Sequence, residues 1–392
     1  MPSPARRSSR AAFAGIFAVT MLALLGVGAV LPVIPHYVHG RLGDGDVAVG
    51  VAIGAFAFTA LACRPLAGNL ADLRGRRPVV AVASLLAAAA GLLYLVPAGL
   101  PGLILARLVL GAGEGSVFTA GATWVVDLAP PGRRGRVIGL YGLAVWTGLS
   151  LGPPIGDLLL RVASFDAVWA FAAAAPAIGA AIAFAIPDPH AGAPRRRERG
   201  ALIARESLRP GAALSLATIG YAAMASFIVL DLHSKGLGHG TAAFTAFAVT
   251  VVATRLLAGD LPDRVGPLRC AAGAALVEAL GLVLIALASS LPVAIVGAVA
   301  MGAAFSTIYP SLSLYVVNRA DEARRGAALG TFTAFFDAGV GLGAPLVGAA
   351  AALAGYDAAF WLAAACALGT AGAASVGIRR ARAAAAAGAR PG

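Results

Sequence analysis

The sequence is poor in charge. Asp, Glu, Lys and Arg make up 12% of its 392 residues, whereas an average soluble domain has about 25%. Apolar residues make up 59%, glycine adds 50 residues, and the mean hydropathy is +0.86. A soluble globule of this composition could not cover its surface with polar groups, so the chain is predicted to be an integral membrane protein.

The basic charge does not indicate a nucleic-acid partner. The net charge of +12 comes from short arginine clusters that lie between long apolar runs, and no basic soluble face carries it. The same apolar runs exclude a disordered chain. The arginine clusters are therefore interpreted as a signal of membrane topology.

Residue types that build enzyme and metal sites are also scarce. Cys63, Cys270 and Cys366 lie far apart without paired metal-ligand spacing and are interpreted as small packing residues. The single lysine, Lys235, is not part of a Gly-rich phosphate loop, which excludes an ATP motor of that type. No group of His, Asp and Ser has catalytic spacing. We expect no enzyme activity, no metal and no cofactor.

Apolar runs of about 20 residues, the length that crosses a bilayer core of roughly 30 Å, dominate the chain. Because backbone groups in lipid must bond internally, each run is predicted to be a helix. The runs cover 11–36, 47–71, 78–97, 102–126, 137–159, 166–186, 211–231, 241–261, 270–290, 292–317, 326–352 and 357–378. The predicted fold is all-α, with twelve transmembrane helices. Residues 1–10 are predicted to form an N-terminal segment, and residues 379–392 a tail. Two six-helix bundles are predicted over 11–186 and 211–378, and an arginine-rich linker over 187–210 joins them.

Basic residues are distributed unevenly between the loops. With the amino terminus inside, the outer loops hold only Arg41, Arg161 and Lys235, and the arginine clusters, the linker and the tail are cytoplasmic. This asymmetry follows the positive-inside rule and predicts an inner-membrane protein with both termini in the cytoplasm. The first run is too long for a cleaved signal and is followed by eleven others, so it is interpreted as a retained span.

The two halves repeat each other at a constant offset, because 255 − 64 and 266 − 75 both give 191. At this offset Arg64, Gly68, Asp72 and Gly75 correspond to Arg255, Gly259, Asp263 and Gly266, Gly111 to Gly302, Phe118 to Tyr309, Gly148 to Gly339, and Gly152 to Gly343. Since six spans separate the copies, equivalent helices are expected to point the same way. This is the parallel repeat of a secondary transporter, whose site lies between two bundles that rock.

Three motifs resemble those of the major facilitator superfamily. Gly68-Asn-Leu-Ala-Asp72-Leu-Arg74-Gly75-Arg76-Arg77 resembles the family signature between spans two and three. Arg107 with Gly111, Glu114 and Gly115 is similar to the span-four motif, and Gly148 to Gly156 resembles a span-five motif of exporters, with Asp157 in place of a second glycine. The resemblance covers essentially the whole chain. It implies the major facilitator fold and the bacterial arabinose-efflux-permease and multidrug-exporter branch.

The first and third motifs are predicted to act in the transport cycle. Gly68 and Gly75 permit close approach or a tight turn, and Asp72 would cap the third span or pair with an arginine. A cytoplasmic gate would then comprise Gly68, Asp72, Gly75, Arg76, Arg77, Gly259, Asp263 and Gly266; the alternative is an ordinary cap with basic anchors. Gly148, Gly152, Pro153 and Gly156 form a stripe of small residues that is expected to contact the other half. The alternative is packing without influence on transport direction.

Charged residues inside the apolar runs are candidates for proton coupling, because burying a charge in a bilayer costs about 2.5–3.5 kcal/mol on insertion scales. Glu114 shares a helix face with Arg107 and is the first candidate; the alternative is a permanent Glu114–Arg107 ion pair. Asp337, at the position equivalent to Trp146, is the second candidate. Glu278 is expected to have a structural or interface role.

Aromatic residues complete the predicted substrate cavity. The equivalents of Glu114 and Phe118 in the second half are Phe305 and Tyr309, so one wall is charged and the other aromatic. The cavity is predicted to contain Arg107, Glu114, Phe118, Trp146, Tyr221, Phe305 and Tyr309 and to suit an amphipathic organic molecule. Alternatively, these aromatic residues only fill helix contacts.

The sequence therefore predicts a secondary active transporter that exports small amphipathic organic compounds, such as drugs or sugars, in exchange for protons by alternating access. Proton-coupled uptake of a nutrient is the alternative. A receptor or a membrane enzyme is disfavoured, because the loops are too short for a receptor domain. The expected partners are membrane lipid, protons and a small-molecule substrate, without nucleic acid, and the protein is expected to be a monomer.

Overall fold

The computed structural model describes residues 4–128, 134–186, 204–320 and 325–388. Within these ranges the chain forms twelve long helices and contains no strand, which confirms the all-α prediction. The helices are α1 (Pro4–Val30), α2 (Asp46–Arg74), α3 (Arg76–Tyr94), α4 (Gly99–Leu128), α5 (Arg134–Val162), α6 (Phe165–Ala185), α7 (Leu208–Ser234), α8 (Gly240–Leu257), α9 (Pro267–Ala286), α10 (Leu291–Val317), α11 (Arg325–Ala354) and α12 (Tyr356–Gly388).

By length and composition, twelve helical segments in the described part of the chain could each cross a membrane. Several spans end at residues other than those predicted from the apolar runs. The first span continues to Leu42 through a short helix, Val33–Tyr37, and a π-helical turn, Val38–Leu42. The regular helix is interrupted near Pro32 and Pro35, because proline has no N–H to donate to the helical ladder.

The chain divides into two compact units, Met1–Glu198 and Arg199–Gly392. In the first unit, α1 packs on α5 and α6, α2 on α4, and α3 on α4 and α6. In the second unit, α7 packs on α11 and α12, α8 on α10, and α9 on α10 and α12. Each pairing in the first unit recurs six helices later, so the sequence repeat is also a repeat of helix packing.

Glycine contacts show that the repeat extends to single residues. A Cβ added at Gly111 on α4 would overlap the Phe56 carbonyl oxygen of α2. At Gly302 on α10, an added Cβ would lie 2.5 Å from the carbonyl oxygen of Phe247 on α8. Phe247 is the equivalent of Phe56 at the offset of 191, so both helix pairs touch at the same place. Only glycine permits such a close approach.

Candidate transport site

The predicted charged wall begins with Arg107 on α4, which is 1% exposed. Its Nε donates to the carbonyl oxygen of Ala52 at 2.9 Å, and its Nη2 donates to that of Ile53 at 3.0 Å. Its guanidinium also lies 5.1 Å from the Phe56 ring centroid. Arg107 therefore fastens α4 to α2 through backbone acceptors.

The alternative interpretation of Glu114, a permanent ion pair with Arg107, is not found among the contacts of Arg107 in the described residues. The hydrogen bonds and the ring contact of Arg107 go to α2, its guanidinium also interacts with Tyr94 at the end of α3, and Glu114 is not among these partners. The two residues are seven positions apart, so their Cα atoms are about 10 Å apart along the helix axis. Helical periodicity places Arg107 and Glu114 on one face of α4. That face packs against α2, whose carbonyl groups accept the hydrogen bonds of Arg107.

Glu114 is buried in the first bundle, one helical turn from Phe118. The guanidinium of Arg64 on α2 lies 4.8 Å from the Phe118 ring centroid. Sequence reasoning used Arg64 only as a marker of the repeat. Its position as a basic residue within an apolar run was the signal that could have placed it in the site.

Tyr141 on α5 lies beside the same Phe118. The two ring centroids are 5.9 Å apart, and the Tyr141 hydroxyl donates to the Phe118 carbonyl oxygen at 3.1 Å. The hydroxyl of Thr20 on α1 donates to the Tyr141 hydroxyl at 3.0 Å. Glu114 thus belongs to a region where α1, α2, α4 and α5 contribute polar and aromatic groups.

The aromatic residues predicted for the second half of the cavity contact one another in the second bundle. Tyr221 stacks on Phe305 with ring centroids 5.6 Å apart, and the Tyr309 hydroxyl is 2.9 Å from the Thr333 hydroxyl. Phe336, which sequence reasoning missed, links the set, with centroid distances of 6.1 Å to Phe305 and 6.4 Å to Tyr309. Further rings on α8 and α11 extend the cluster, namely Phe247 and Phe332.

The second proton-coupling candidate, Asp337, follows Phe336 directly on α11 and is buried. Its equivalent in the first bundle, Trp146 on α5, is half-buried, and its carbonyl oxygen accepts from Ser150 at 2.6 Å. Buried carboxyl groups near aromatic residues therefore occur in both bundles, Glu114 in the first and Asp337 in the second.

The signature motif covers the end of α2 and the start of α3. Gly75 has a φ of +92° and Gly266 a φ of +95°, a left-handed backbone region that favours glycine. Arg76 donates from Nε to Asp127 at 3.2 Å, and Arg77 donates to the carbonyl oxygen of Phe184. These contacts fasten the start of α3 to the ends of α4 and α6.

The predicted cap or arginine partner of Asp72 stays a prediction, because the Asp72 side chain lies outside the described part of the structure. Its backbone belongs to the last turn of α2, and the N-cap position of α3 is held by Gly75. Gly68 is half-buried on α2, and Thr119 of α4 is the neighbour nearest to an added Cβ, at 3.9 Å.

The second copy of the motif has a different backbone. α8 ends at Leu257, and Asp263 lies exposed on a separate short helix, Leu261–Val265. Proline at position 262, where the first copy has Ala71, starts that short helix and could not continue α8 without losing a hydrogen bond. Gly259 is exposed in the intervening turn.

The span-five glycines have their closest neighbours within the first bundle. A Cβ added at Gly148 would lie 2.6 Å from the Met21 carbonyl oxygen, and one at Gly152 would lie 2.6 Å from the Ala29 nitrogen. Gly156 also faces Ala29. These neighbours belong to α1 in the same bundle, and the buried Pro153 lies within the same helix, α5. A stripe of small residues identifies a close contact but not which helix makes it.

An ionic cluster that sequence reasoning missed lies at the end of α7. Asp231 is 1% exposed and accepts from Lys235 Nζ at 3.0 Å. The same ammonium lies 2.7 Å from Asp357 at the start of α12. It also donates to the carbonyl oxygens of Ile285 and Ala286 at the end of α9. The only lysine of the chain therefore joins three helix ends.

Comparison with known proteins agrees with this architecture. The family model of the Major Facilitator Superfamily matches residues 16–241 and 211–390. The chain is 33% identical over 378 residues to the uncharacterized MFS-type transporter STM4428 of Salmonella typhimurium, across 94% of this chain and 97% of that protein. It is 32% identical over 334 residues to the uncharacterized MFS-type transporter YhhS of Shigella flexneri, across 83% and 82%.

Solved structures share the fold at low sequence identity. The human organic anion transporter MFSD10 has a TM-score of 0.72 at 20% identity, across 95% of this chain and all of that chain. The nucleoside transporter NupG has a TM-score of 0.77 at 15% identity, across 93% and 99%.

The chain therefore belongs to the Major Facilitator Superfamily. It is a multi-pass membrane protein and a secondary transporter of a small-molecule substrate, and it is not an enzyme. The family resemblance seen in the sequence motifs is confirmed at this level.

Proposed function

We propose that this transporter exports small amphipathic organic molecules in exchange for protons. In this proposal it acts as a monomer in the bacterial inner membrane, with both termini in the cytoplasm. The observation that carries the proposal is that membrane helices of both bundles hold buried carboxyl groups, Glu114 in the first and Asp337 in the second. Ionisable residues at such depth are costly and mark ion pathways in membrane proteins.

Glu114 is the first proposed proton carrier. It lies one turn from Phe118, over whose ring the Arg64 guanidinium is placed. A carboxyl group that exchanges a proton alters its attraction to a nearby cation, and a change of this kind favours one conformation over another. Arg107 is assigned a structural role instead, because its Nε and Nη2 donate to the α2 backbone.

The aromatic cluster of the second bundle supports the proposed substrate class. Tyr221, Phe305, Phe336 and Tyr309 form a cluster of rings with two hydroxyl groups, and the buried Asp337 follows Phe336 directly on α11. Aromatic faces bind flat apolar parts of a ligand, and a carboxylate attracts a cationic group. A flat, cationic organic molecule such as ethidium fits these groups best.

Everted membrane vesicles that contain the overproduced transporter test the proposal, with ethidium and L-arabinose as the transported probes. Proton-coupled export predicts accumulation inside everted vesicles that collapses when a protonophore is added. Glu114→Gln and Asp337→Asn should each remove proton-driven accumulation without loss of membrane insertion. Glu206→Gln, a matched change at a half-buried residue at the start of the second unit, should behave as wild type.

Two results would contradict the proposal. Accumulation of the probes only in right-side-out vesicles would show uptake, the alternative direction. Unchanged proton-driven accumulation in Glu114→Gln and in Asp337→Asn would remove both residues from the coupling mechanism.

A further inference from the structure

Glu278 is a buried carboxyl group that the proposed transport mechanism does not use. It lies in the middle of α9 and is 0% exposed. Neither of its carboxyl oxygens has a hydrogen-bond partner among the described residues. An ionised carboxylate in such a place would have lost its hydration without any compensating donor, which is far more costly than burying the neutral acid.

The residues packed around Glu278 leave space for its carboxyl group. Position 220 on α7 is glycine, and a Cβ added there would lie 2.6 Å from Glu278 Oε1. Leu282 and Met301 also line the gap at Gly220. The glycine leaves room for one carboxyl oxygen, and the surrounding groups are apolar.

Titratable groups on the neighbouring helices cannot balance a charge on Glu278. The one that interacts with it electrostatically is the Cys366 thiol on α12, which supplies no positive charge. Along α10 there is no Asp, Glu, Lys, Arg or His. On α7 the charged residues closest in sequence to Gly220 are Arg209 and Asp231, each eleven positions and therefore about 16 Å along the helix away, and Asp231 is engaged by Lys235.

The first bundle has no counterpart of this group. At the offset of 191, Glu278 corresponds to Ala87 and Gly220 to Ala29. Met301 corresponds to Leu110 and Cys366 to Ala175. The carboxyl group and the glycine that accommodates it thus occur together in one repeat, and both are replaced by alanine in the other.

We propose that Glu278 is a proton-binding site of the second bundle, neutral in this packing and able to release its proton only when the helices around it separate enough to admit water. A bound proton then stabilises the packed form of α7, α9, α10 and α12 in the same way as any ligand that binds one conformation better than another. Its use in coupling export to the proton gradient rests on the function proposed above, whereas the site itself does not.

Infrared spectroscopy of the purified transporter in nanodiscs tests the site directly. A protonated carboxyl group absorbs at a higher frequency than a carboxylate, and its band shifts in D2O. At pH 7, where a water-exposed glutamate is ionised, wild type should show a protonated-carboxyl band that is absent from both Glu278→Gln and Glu278→Met. Glu206→Gln should retain it. If the difference between wild type and the Glu278 variants shows a carboxylate band at pH 7, the proposal is wrong.

The pH dependence of thermal unfolding is the second measurement. The folded state would hold a proton on Glu278 that the unfolded chain releases near its ordinary pKa, so the stability of wild type falls as pH rises above that range. One such group changes the folding equilibrium by up to tenfold per pH unit. Glu278→Gln and Glu278→Met should remove this slope.

Two features keep the test decisive. The methionine variant is apolar and of similar length, so it retains a foldable protein if a buried amide is not tolerated. An equal pH slope in wild type and in the variants would overturn the proposal. Neither measurement needs a transported compound, so failure of the proposed export would leave both results unchanged.

Discussion

Arg76 and Asp127 join the start of α3 to the end of α4, with 3.2 Å between Nε and Oδ2. The Arg76 side chain is almost fully buried, whereas that of Asp127 is 26% exposed. The equivalents in the second bundle are Pro267 and Asn318, which cannot form an ion pair. The signature motif therefore makes an ionic contact at this place in one repeat only.

Asp127→Asn should destabilise the transporter by about 1–3 kcal/mol, between the cost of breaking an exposed ion pair and that of breaking a buried one. The physical reason is that the buried Arg76 charge would lose its contact with the Asp127 carboxylate. Unfolding midpoints in detergent measure the change. Asp263→Asn, in the exposed second copy of the motif, is the matched control and should change stability by less than about 0.5 kcal/mol. Equal effects of the two substitutions would contradict the importance of the contact.

The contact between α5 and α1 makes the span-five glycines sensitive to a single added carbon. Gly156→Ala should destabilise the protein by about 1–3 kcal/mol or more, because its Cβ would overlap the Ala29 carbonyl oxygen and backbone cannot yield easily. Gly330→Ala on α11 is the control, since an added Cβ there meets nothing within 4 Å. That change should be neutral or stabilising by up to about 1 kcal/mol.

The yield and thermal stability of the folded protein distinguish the two interpretations of this stripe. Packing within the bundle predicts that Gly156→Ala lowers both, and that the protein which does fold transports in the wild-type direction. A stable Gly156→Ala protein with reversed or leaking transport would instead favour a direct role of the motif in transport direction.

The cluster around Lys235 predicts strong coupling between two substitutions. Lys235→Met leaves Asp231 buried without its cation and should cost about 3–5 kcal/mol. Asp231→Asn in the same chain should restore most of this loss, because the buried charge is then gone as well. Asp357→Asn alone should cost less than about 1 kcal/mol, since the Asp357 side chain is 53% exposed. A double-mutant cycle on unfolding midpoints checks the coupling; additive effects of the first two changes would refute it.

Much of the fold could be predicted from the sequence, because span length and hydropathy are local properties. The offset of 191 also predicted which helices correspond, and the matching contacts of Gly111 and Gly302 show the repeat in the packing. The helix ends were less predictable where proline intervenes, as at Pro262.

The partners of the site residues could not be predicted in the same way. Helical periodicity places Arg107, Gly111 and Glu114 on one face, but it does not say which helix lies opposite that face. The structure places α2 there, and Arg107 consequently binds backbone carbonyl groups. The contact between Lys235 and Asp357 joins residues 122 positions apart (357 − 235) and has no local signal in the sequence.

Gly220 and Glu278 should behave as a coupled pair. Gly220→Ala places a Cβ 2.6 Å from Glu278 Oε1 and should destabilise the second bundle by about 1–3 kcal/mol, because the carboxyl group has no free space beside Leu282 and Met301. In a chain that already carries Glu278→Ala, the same change should cost at least about 1 kcal/mol less. That double variant has alanine at both positions, as the first bundle has at Ala29 and Ala87. Gly273→Ala, on a face of α9 where nothing lies within 4 Å, is the control and should show no dependence on residue 278. Unfolding midpoints of the four proteins give the coupling energy, and a value near zero would show that Gly220 is not there to accommodate the carboxyl group.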